Sequence, residues 1–483
     1  MNKNKKIIII TIISLIVLTG IYLLYNTYAL TTKTTNNGDY YTINLTDSNI
    51  VSLAANEEKT VIYQINNTNN GTVSYGVAYN NSNIEVKVYS DSKDKVTGTI
   101  GANDNKYIKL HLKNKTSSNT TVEITAVMGY ENGGDLIVPS DSTLVTGTYT
   151  APISLAKYIT NLYANASKST VTNNSITYNY ATSESLMNDR LGGTTSSLDG
   201  GNIRYYGASP KNYVYFNCET YPSTNCELWR IIGVFDGKIK LMRNESIGNY
   251  SWDTSASSVN SGYGVNEWSQ ADLMKLLNPG HESESVGGSL YYNSKSKTCY
   301  NRNNNATTSC NFTSTGIKND TTRNMIAETT WNLGGWNSSD IFSNVMYEKE
   351  RGATTVSNSS DGITRATTWT GKIALPYPSD YGFATDLSKC SQTLSNYYSS
   401  TDSYACRSND WMYSIFKTNT FNWLLTPLSG NANNAFNVYS AGYVNKNTSV
   451  YGANGVAPVL YLGSDQDIVA GDGSQSNPYQ LKA

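Results

Sequence analysis

The chain has 483 residues, enough for roughly two to four domains, and its 36 Lys and Arg against 37 Asp and Glu leave a net charge of -1. That balance carries neither the basic footprint of a nucleic-acid-binding protein nor a strongly acidic surface, so nucleic acid is not expected as a partner. Only 15% of residues are charged while 38 are tyrosine, a polar, β-favouring composition that AT-rich codons alone would also produce.

At the N-terminus, Lys3, Lys5 and Lys6 precede an uncharged run from Ile7 to Leu24, followed by Tyr25 and Tyr28. Such a run is long enough to cross a bilayer, with the lysines cytoplasmic and the tyrosines at the outer interface. Residues 1–30 are therefore expected to be a single-pass signal anchor that binds the membrane and leaves the rest of the chain outside the cell. The competing reading is a cleaved signal peptide, with Thr27-Tyr28-Ala29 as a weak small-residue site before Leu30. That reading makes the protein secreted.

Residues 36–130 read as strands. Apolar side chains alternate at Val73, Tyr75, Val77 and Tyr79, at Ile84, Val86 and Val88, at Ile108, Leu110 and Leu112, and at Val122, Ile124, Ala126 and Met128. Turn residues separate these runs, which is the pattern of an all-β, immunoglobulin-like sandwich, here expected to act as a stalk. No Cys or Trp marks this stretch, so common descent with immunoglobulins is not implied. Residues 131–201 read as a linker that holds one short amphipathic helix, Ile153 to Tyr163, between the polar stretch Ala164 to Asn174 and the Gly-rich stretch Leu191 to Gly201.

Residues 202–483 read as an α+β head. A hairpin is expected over Glu227 to Leu241 around Asp236-Gly237, and helices over Glu267 to Leu277 and Thr321 to Trp331. Near the end, a Trp-centred apolar strand at Asn422 to Pro427, a polar loop, a hairpin that turns at Gly442 and a buried strand at Val456 to Leu462 form the expected core.

These last segments, NWLLTP and GVAPVLYL, resemble the closing part of a domain widespread in uncharacterised bacterial cell-surface proteins. NIRYYGASPKNYVYFN, ELWRIIGVFDGKIKLMRNE, WTGKIALPYPSDYGFATD and GDGSQSNPYQL follow the same domain in order. That domain is similar to the C-type-lectin and formylglycine-generating-enzyme (sulfatase-modifying factor) fold, in which irregular loops on a central hairpin bind ligands. The resemblance implies a domain type; a fold by itself does not assign an activity.

All six cysteines follow residue 217, as Cys218 and Cys226, Cys299 and Cys310, and Cys390 and Cys406. Sequential pairing would staple three loops of the head in an oxidising compartment, although six cysteines allow many connectivities. Metal ligation is a poor fit, because no C-x-x-C occurs and His111 and His281 stand apart from the cysteines. Two histidines also leave no serine or cysteine nucleophile with an evident base, and no phosphate-binding glycine loop or H-E-x-x-H occurs. Glu227, Glu267, Asp272 and Glu282 supply carboxylates for glycosidase chemistry, but nothing in the sequence pairs two of them across a cleft.

The copper-binding cysteine pair of the formylglycine-generating enzymes is absent after Cys406, so that activity is not carried over. No cofactor is expected; Asp465, Asp467 and Asp472 form an acidic cluster that could supply oxygen ligands to calcium, but turn aspartates are commoner than calcium sites. Asn-x-Ser/Thr triplets in so Asn-rich a chain imply no glycosylation.

What remains is a recognition surface. Tyr439, Tyr443 and Asn445 flank the polar hairpin, and Trp336, Tyr377 and Tyr381 lie in or beside the loops that the resembled fold uses for ligands; Trp331 and Trp423 are expected in the core. The expectation is a membrane-anchored extracellular protein whose head binds a glycan or protein ligand, as in adhesion, without catalysis. A fibre-forming subunit assembled through the sandwich, and a carboxylate-dependent extracellular hydrolase, are the alternatives.

Overall fold

The computed structural model describes residues 43–45, 49–68, 71–89, 97–129, 136, 138–145, 154–191, 201–256, 263–352, 363–398, 401–464 and 466–482. The expected membrane span lies outside these residues, as does Asp465. Among the described residues no helix is long and apolar enough to cross a membrane. The chain divides into two compact units, Met1–Pro152 and Ile153–Ala483, and it is mostly β-structure.

The first unit consists of two antiparallel sheets around one core. Strands Ile43–Leu45, Glu58–Asn67, Asn105–Asn114 and Ile84–Tyr89 form one sheet in that order, and Ile50–Leu53, Thr120–Gly129, Val73–Tyr79 and Gly98–Ile100 form the other, with Thr143–Leu144 also paired to Val73–Tyr79. The alternation read from the sequence sets the inward face: Val73, Tyr75, Val77, Ile108, Leu110, Leu112, Val122 and Ile124 are all buried. The asparagines are structural here. Asn67 Nδ2 donates to the carbonyls of Gly71 and Gly101, and Asn114 Nδ2 to those of Ala54 and Ser118, which ties each loop to a strand end.

In the second unit the larger sheet runs in the order Ser169–Asn173, Ile176–Ala181, Leu186–Asn188, Ile203–Tyr205, Glu227–Phe235, Lys238–Arg243, Val459–Tyr461 and Ile373–Ala374, with Tyr213–Phe216 also paired to Glu227–Phe235. A five-stranded sheet holds Asn249–Tyr250, Asn454–Gly455, Phe421–Pro427, Asn434–Tyr439 and Val444–Ser449.

Two expectations change. Residues 154–191 were expected to be linker around one short helix; the helix is present as Leu155–Asn165 and buries Leu155, Ala156, Ile159 and Tyr163 in the core of this unit, but the residues after it build the first three strands of the larger sheet. Leu155 N donates to Gln466 O at 2.8 Å, and Tyr158 meets Tyr479 edge-on at 5.7 Å, so the helix is pinned to the C-terminal segment. Thr321 to Trp331 is not one helix. Asp320–Met325 is helical, capped by Asn319, and Thr329–Asn332 is a strand that sets Trp331 opposite Trp369.

A buried ionic network holds the larger sheet to helix Pro378–Ala384. Asp380 Oδ1 receives Arg204 Nη1 at 3.0 Å, and its Oδ2 receives Lys240 Nζ at 2.5 Å and Tyr377 N at 3.0 Å. Arg204 Nε reaches Asp189 Oδ2 at 2.6 Å, and its guanidinium lies between the rings of Phe235 and Phe383 at 4.6 and 4.8 Å. Burial opposes ionisation of Asp380, but Lys240 and Arg204 outweigh it and hold the carboxyl below its ordinary range. Burial also brings Lys240 down to about 8 despite Asp380, which leaves it mostly charged at neutral pH.

Candidate ligand-binding surface

The hairpin Asn434–Tyr439 and Val444–Ser449 lies at one edge of the five-stranded sheet, beside strand Phe421–Pro427. Because side chains alternate, Phe421, Tyr439 and their paired neighbours share one face. On that face Phe421 and Tyr439 stand 5.1 Å apart, Tyr439 and Tyr443 5.2 Å, and Tyr443 and Tyr398 4.4 Å, with ring planes 41 to 55° apart. Phe421, Tyr439 and Tyr443 are half-buried and Tyr398 is 48% exposed, so the four rings make a continuous, partly exposed aromatic surface. One step inward on the same face lies Asn437, fully buried, whose amide has no hydrogen-bond partner among the described residues.

The turn that carries Tyr439 and Tyr443 is held from below. Three successive carbonyls each accept a side-chain donor: Ser440 O from Tyr413 OH at 3.1 Å, Ala441 O from Arg407 Nη1 at 2.6 Å, and Gly442 O from Tyr381 OH at 2.7 Å. Gly442 N closes the turn on Tyr439 O at 2.7 Å. Its φ of +99° is open to glycine at no steric cost, and a Cβ there would meet Arg407 Cβ at 2.9 Å. Such a turn fixes both tyrosines before any ligand arrives, which lowers the entropic cost of binding.

The six sequence candidates separate accordingly. Tyr439 and Tyr443 lie on the surface. Tyr381 is fully buried and supports the turn, and Tyr377 is buried with its hydroxyl bonded to Asn332 N and O. Neither presents a free ring. Asn445 is half-buried and donates to Thr448 Oγ1 at 3.0 Å within its own strand. Trp336 is half-buried under Lys349, whose Nζ stands 4.1 Å from the ring, beside the Ser429 loop rather than among the tyrosines. Sequence reading missed Tyr398, Phe421, Arg407 and Tyr413; the tyrosine pair inside the Cys390 to Cys406 loop was the available signal.

The cysteines pair sequentially, Cys218 with Cys226, Cys299 with Cys310 and Cys390 with Cys406. The third bridge closes the loop that carries Tyr398 and ends beside Arg407, so it staples one side of the aromatic surface. Closing a loop of this length contributes about 3 kcal/mol in the chain-entropy account. Replacing Cys390 and Cys406 together with serine is expected to lower the urea midpoint of the second unit and to raise amide exchange in residues 391–398. Unchanged exchange there would contradict this role.

Asp410 supports the same turn from one layer deeper. Its carboxylate accepts Met412 N at 2.8 Å, Tyr413 N at 3.3 Å and Thr385 Oγ1 at 2.9 Å. Burial pushes this group up to about 8, against the lowering effect of those hydrogen bonds. In the unfolded chain an aspartate titrates near pH 4. The folded state therefore keeps a proton that the unfolded state releases, and the resulting stability, full below about pH 4, is lost as pH rises to about 8. Asp410→Asn is expected to flatten the fall in melting temperature across that window; a slope equal to wild type would show that Asp410 does not carry it.

The four carboxylates considered for hydrolysis are each engaged locally. Glu227 receives Arg243 and Trp229, Glu267 receives Ser269 and Ala366 N, Asp272 receives Thr254, and Glu282 receives Gly280 N and Asn293. A small recess is lined by Asp272, Lys275, Glu284 and Tyr300, and within it Glu284 is paired with Lys275 at 3.6 Å and His281 at 3.2 Å. Among the described residues no group of three or more His, Cys, Asp or Glu converges as a metal site. Comparison of the chain with protein-family models, with curated proteins and with solved structures finds no match.

Proposed function

We propose that the protein is a membrane-anchored extracellular recognition protein that displays a C-type-lectin-like head beyond an immunoglobulin-like stalk and binds glycan without catalysis. The observation that carries this reading is the aromatic surface of Phe421, Tyr439, Tyr443 and Tyr398 on a turn anchored through three consecutive carbonyls. Tyrosine rings offer large, rigid contact area at low conformational cost, and their apolar faces suit the C–H faces of pyranose rings while the hydroxyls stay in water. The uncharged run Ile7 to Leu24 behind three lysines supports the anchor, and three disulfides suit an exterior compartment.

The test is binding of the full-length, oxidised chain to a panel of soluble oligosaccharides. Saturable binding that is lost in Tyr439→Ala, with the melting temperature kept, supports the reading. Saturable binding that Tyr439→Ala leaves intact refutes it.

A further inference from the structure

We propose that the aromatic surface takes an oligosaccharide that bears a carboxylate, and that Arg407 receives this group. The inference rests on the reading that the surface binds glycan. Arg407 is half-buried in helix Thr401–Ser408, with its guanidinium carbon 5.0 Å from the ring centre of Tyr404 and 5.9 Å from that of Tyr413. Its one hydrogen bond goes from Nη1 to Ala441 O, inside the turn that joins Tyr439 to Tyr443. Nε and Nη2 have no partner among the described residues. Those two nitrogens form the side-on fork of a guanidinium, whose paired N–H groups match the two oxygens of a planar carboxylate. The bond to Ala441 O and the rings of Tyr404 and Tyr413 fix the guanidinium at the turn that joins Tyr439 to Tyr443.

The surrounding charge favours an anion. No Asp or Glu occurs between Asp410 and Asp465, the stretch that supplies Phe421, Tyr439 and Tyr443, and its only charged residues are Lys417 and Lys446. Asp410 is buried and bonded to Thr385 and Met412, and Asp340, below the loop that carries Tyr398, spends one oxygen on Thr393, Ser395 and Asn396. Among the described residues Arg407 makes no ion pair with a carboxylate, so a ligand carboxylate would meet a cation that these residues leave unneutralised. Ring stacking alone discriminates weakly among sugars. A charge-assisted fork supplies the discrimination, because a neutral sugar leaves two of its donors without an anionic partner.

The experiment measures affinity of the full-length chain for oligogalacturonate and for a cello-oligosaccharide of equal length, in wild type, Arg407→Gln and Arg407→Lys. The acidic sugar is expected to bind about tenfold more tightly or better, less so at high salt. Arg407→Gln also removes the tie to Ala441 O, so it is expected to weaken both sugars somewhat, as a loosened turn does, and to abolish the preference by costing the acidic sugar about tenfold more than the cello-oligosaccharide. Arg407→Lys, which keeps the charge without the fork, is expected to retain part of the preference. Equal affinity of wild type for the two sugars, or a preference that survives Arg407→Gln, overturns the role of Arg407 and leaves the glycan reading standing. Binding of neither sugar, nor of any member of the wider panel, overturns both.

Discussion

Replacing Asp380 with alanine is expected to lower the unfolding free energy of the second unit by about 3–5 kcal/mol, the cost of leaving a buried charge without its partner. Asp380 is 1% exposed and holds two buried cations, Arg204 and Lys240, together with the amide of Tyr377. Its loss strands Lys240, whose ammonium is then left facing aromatic rings, the nearest being Tyr377 at 4.5 Å, and repelled by Arg204 and Arg351. Lys240→Met is expected to cost less, because it removes the ion that would be stranded and leaves Arg204 to pair with Asp380. All eight tryptophans lie in the second unit, from Trp229 to Trp423, so tryptophan fluorescence in urea follows that unit without interference from the first. A loss below about 1 kcal/mol in Asp380→Ala would mean that the network is not a structural tie of the kind buried ion pairs make.

Tyr443→Ala is expected to weaken glycan binding by about 2 kcal/mol, roughly thirtyfold, as truncation of an aromatic hot spot does. Tyr443 is the central ring, in tilted contact with both Tyr439 and Tyr398, so its removal breaks the surface in two. Tyr381→Phe makes a sharper comparison. Tyr381 touches no ligand; it positions the turn through Gly442 O. Removing that hydroxyl is expected to weaken binding several-fold through a faster off-rate and to raise exchange at the amides of residues 441–443, with the surface rings all present. An unchanged off-rate would mean that the turn does not need this tie.

The first unit was legible in the sequence because its strands carry large apolar side chains at alternate positions. Val73, Tyr75 and Val77 or Ile108, Leu110 and Leu112 alternate with small or polar neighbours, and the pattern holds for the large side chains even in Val73–Tyr79, where Ser74, Gly76 and Ala78 are buried as well. The hairpin at Asp236-Gly237 was legible from its turn residues. Residues 164–174 misled because Ser, Thr and Asn dominate them. The signal was the Asn174-Ser175 pair, both with positive φ at 44 and 62°, between the β-branched runs Ser169–Asn173 and Ile176–Ala181. Thr321 to Trp331 misled for another reason. Met325 and Ile326 face inward as a helix would place them, but Ala327 N bonds Tyr461 O, and tertiary pairing turns the following Thr-Thr-Trp into a strand.

The ionic network and the anchored turn were invisible because their members are far apart in the chain: Asp189, Arg204 and Lys240 meet through sheet order, and Asp380 joins them from helix Pro378–Ala384. A trace was present all the same. Arg204 in NIRYY and Lys240 in KIKLM place single cations among inward-facing apolar residues, and with Asp380 they lie in three of the segments that carry the resemblance to the bacterial surface domain. The aromatic surface was half legible. Tyr439 and Tyr443 announce themselves around the polar turn, whereas Tyr398 and Phe421 join them only because the disulfide-closed loop and the neighbouring strand fold against that hairpin.

The measurement that bears most directly on the whole is covalent footprinting of the full-length chain by a carbene probe, with and without a saturating oligosaccharide from the binding panel. Protection is expected at Tyr398, Tyr439 and Tyr443, with the recess at Asp272 and Tyr300 and the strands of the first unit labelled as before. Protection at that recess or on the first unit, with the three tyrosines unchanged, would contradict the assignment of the aromatic surface as the binding site.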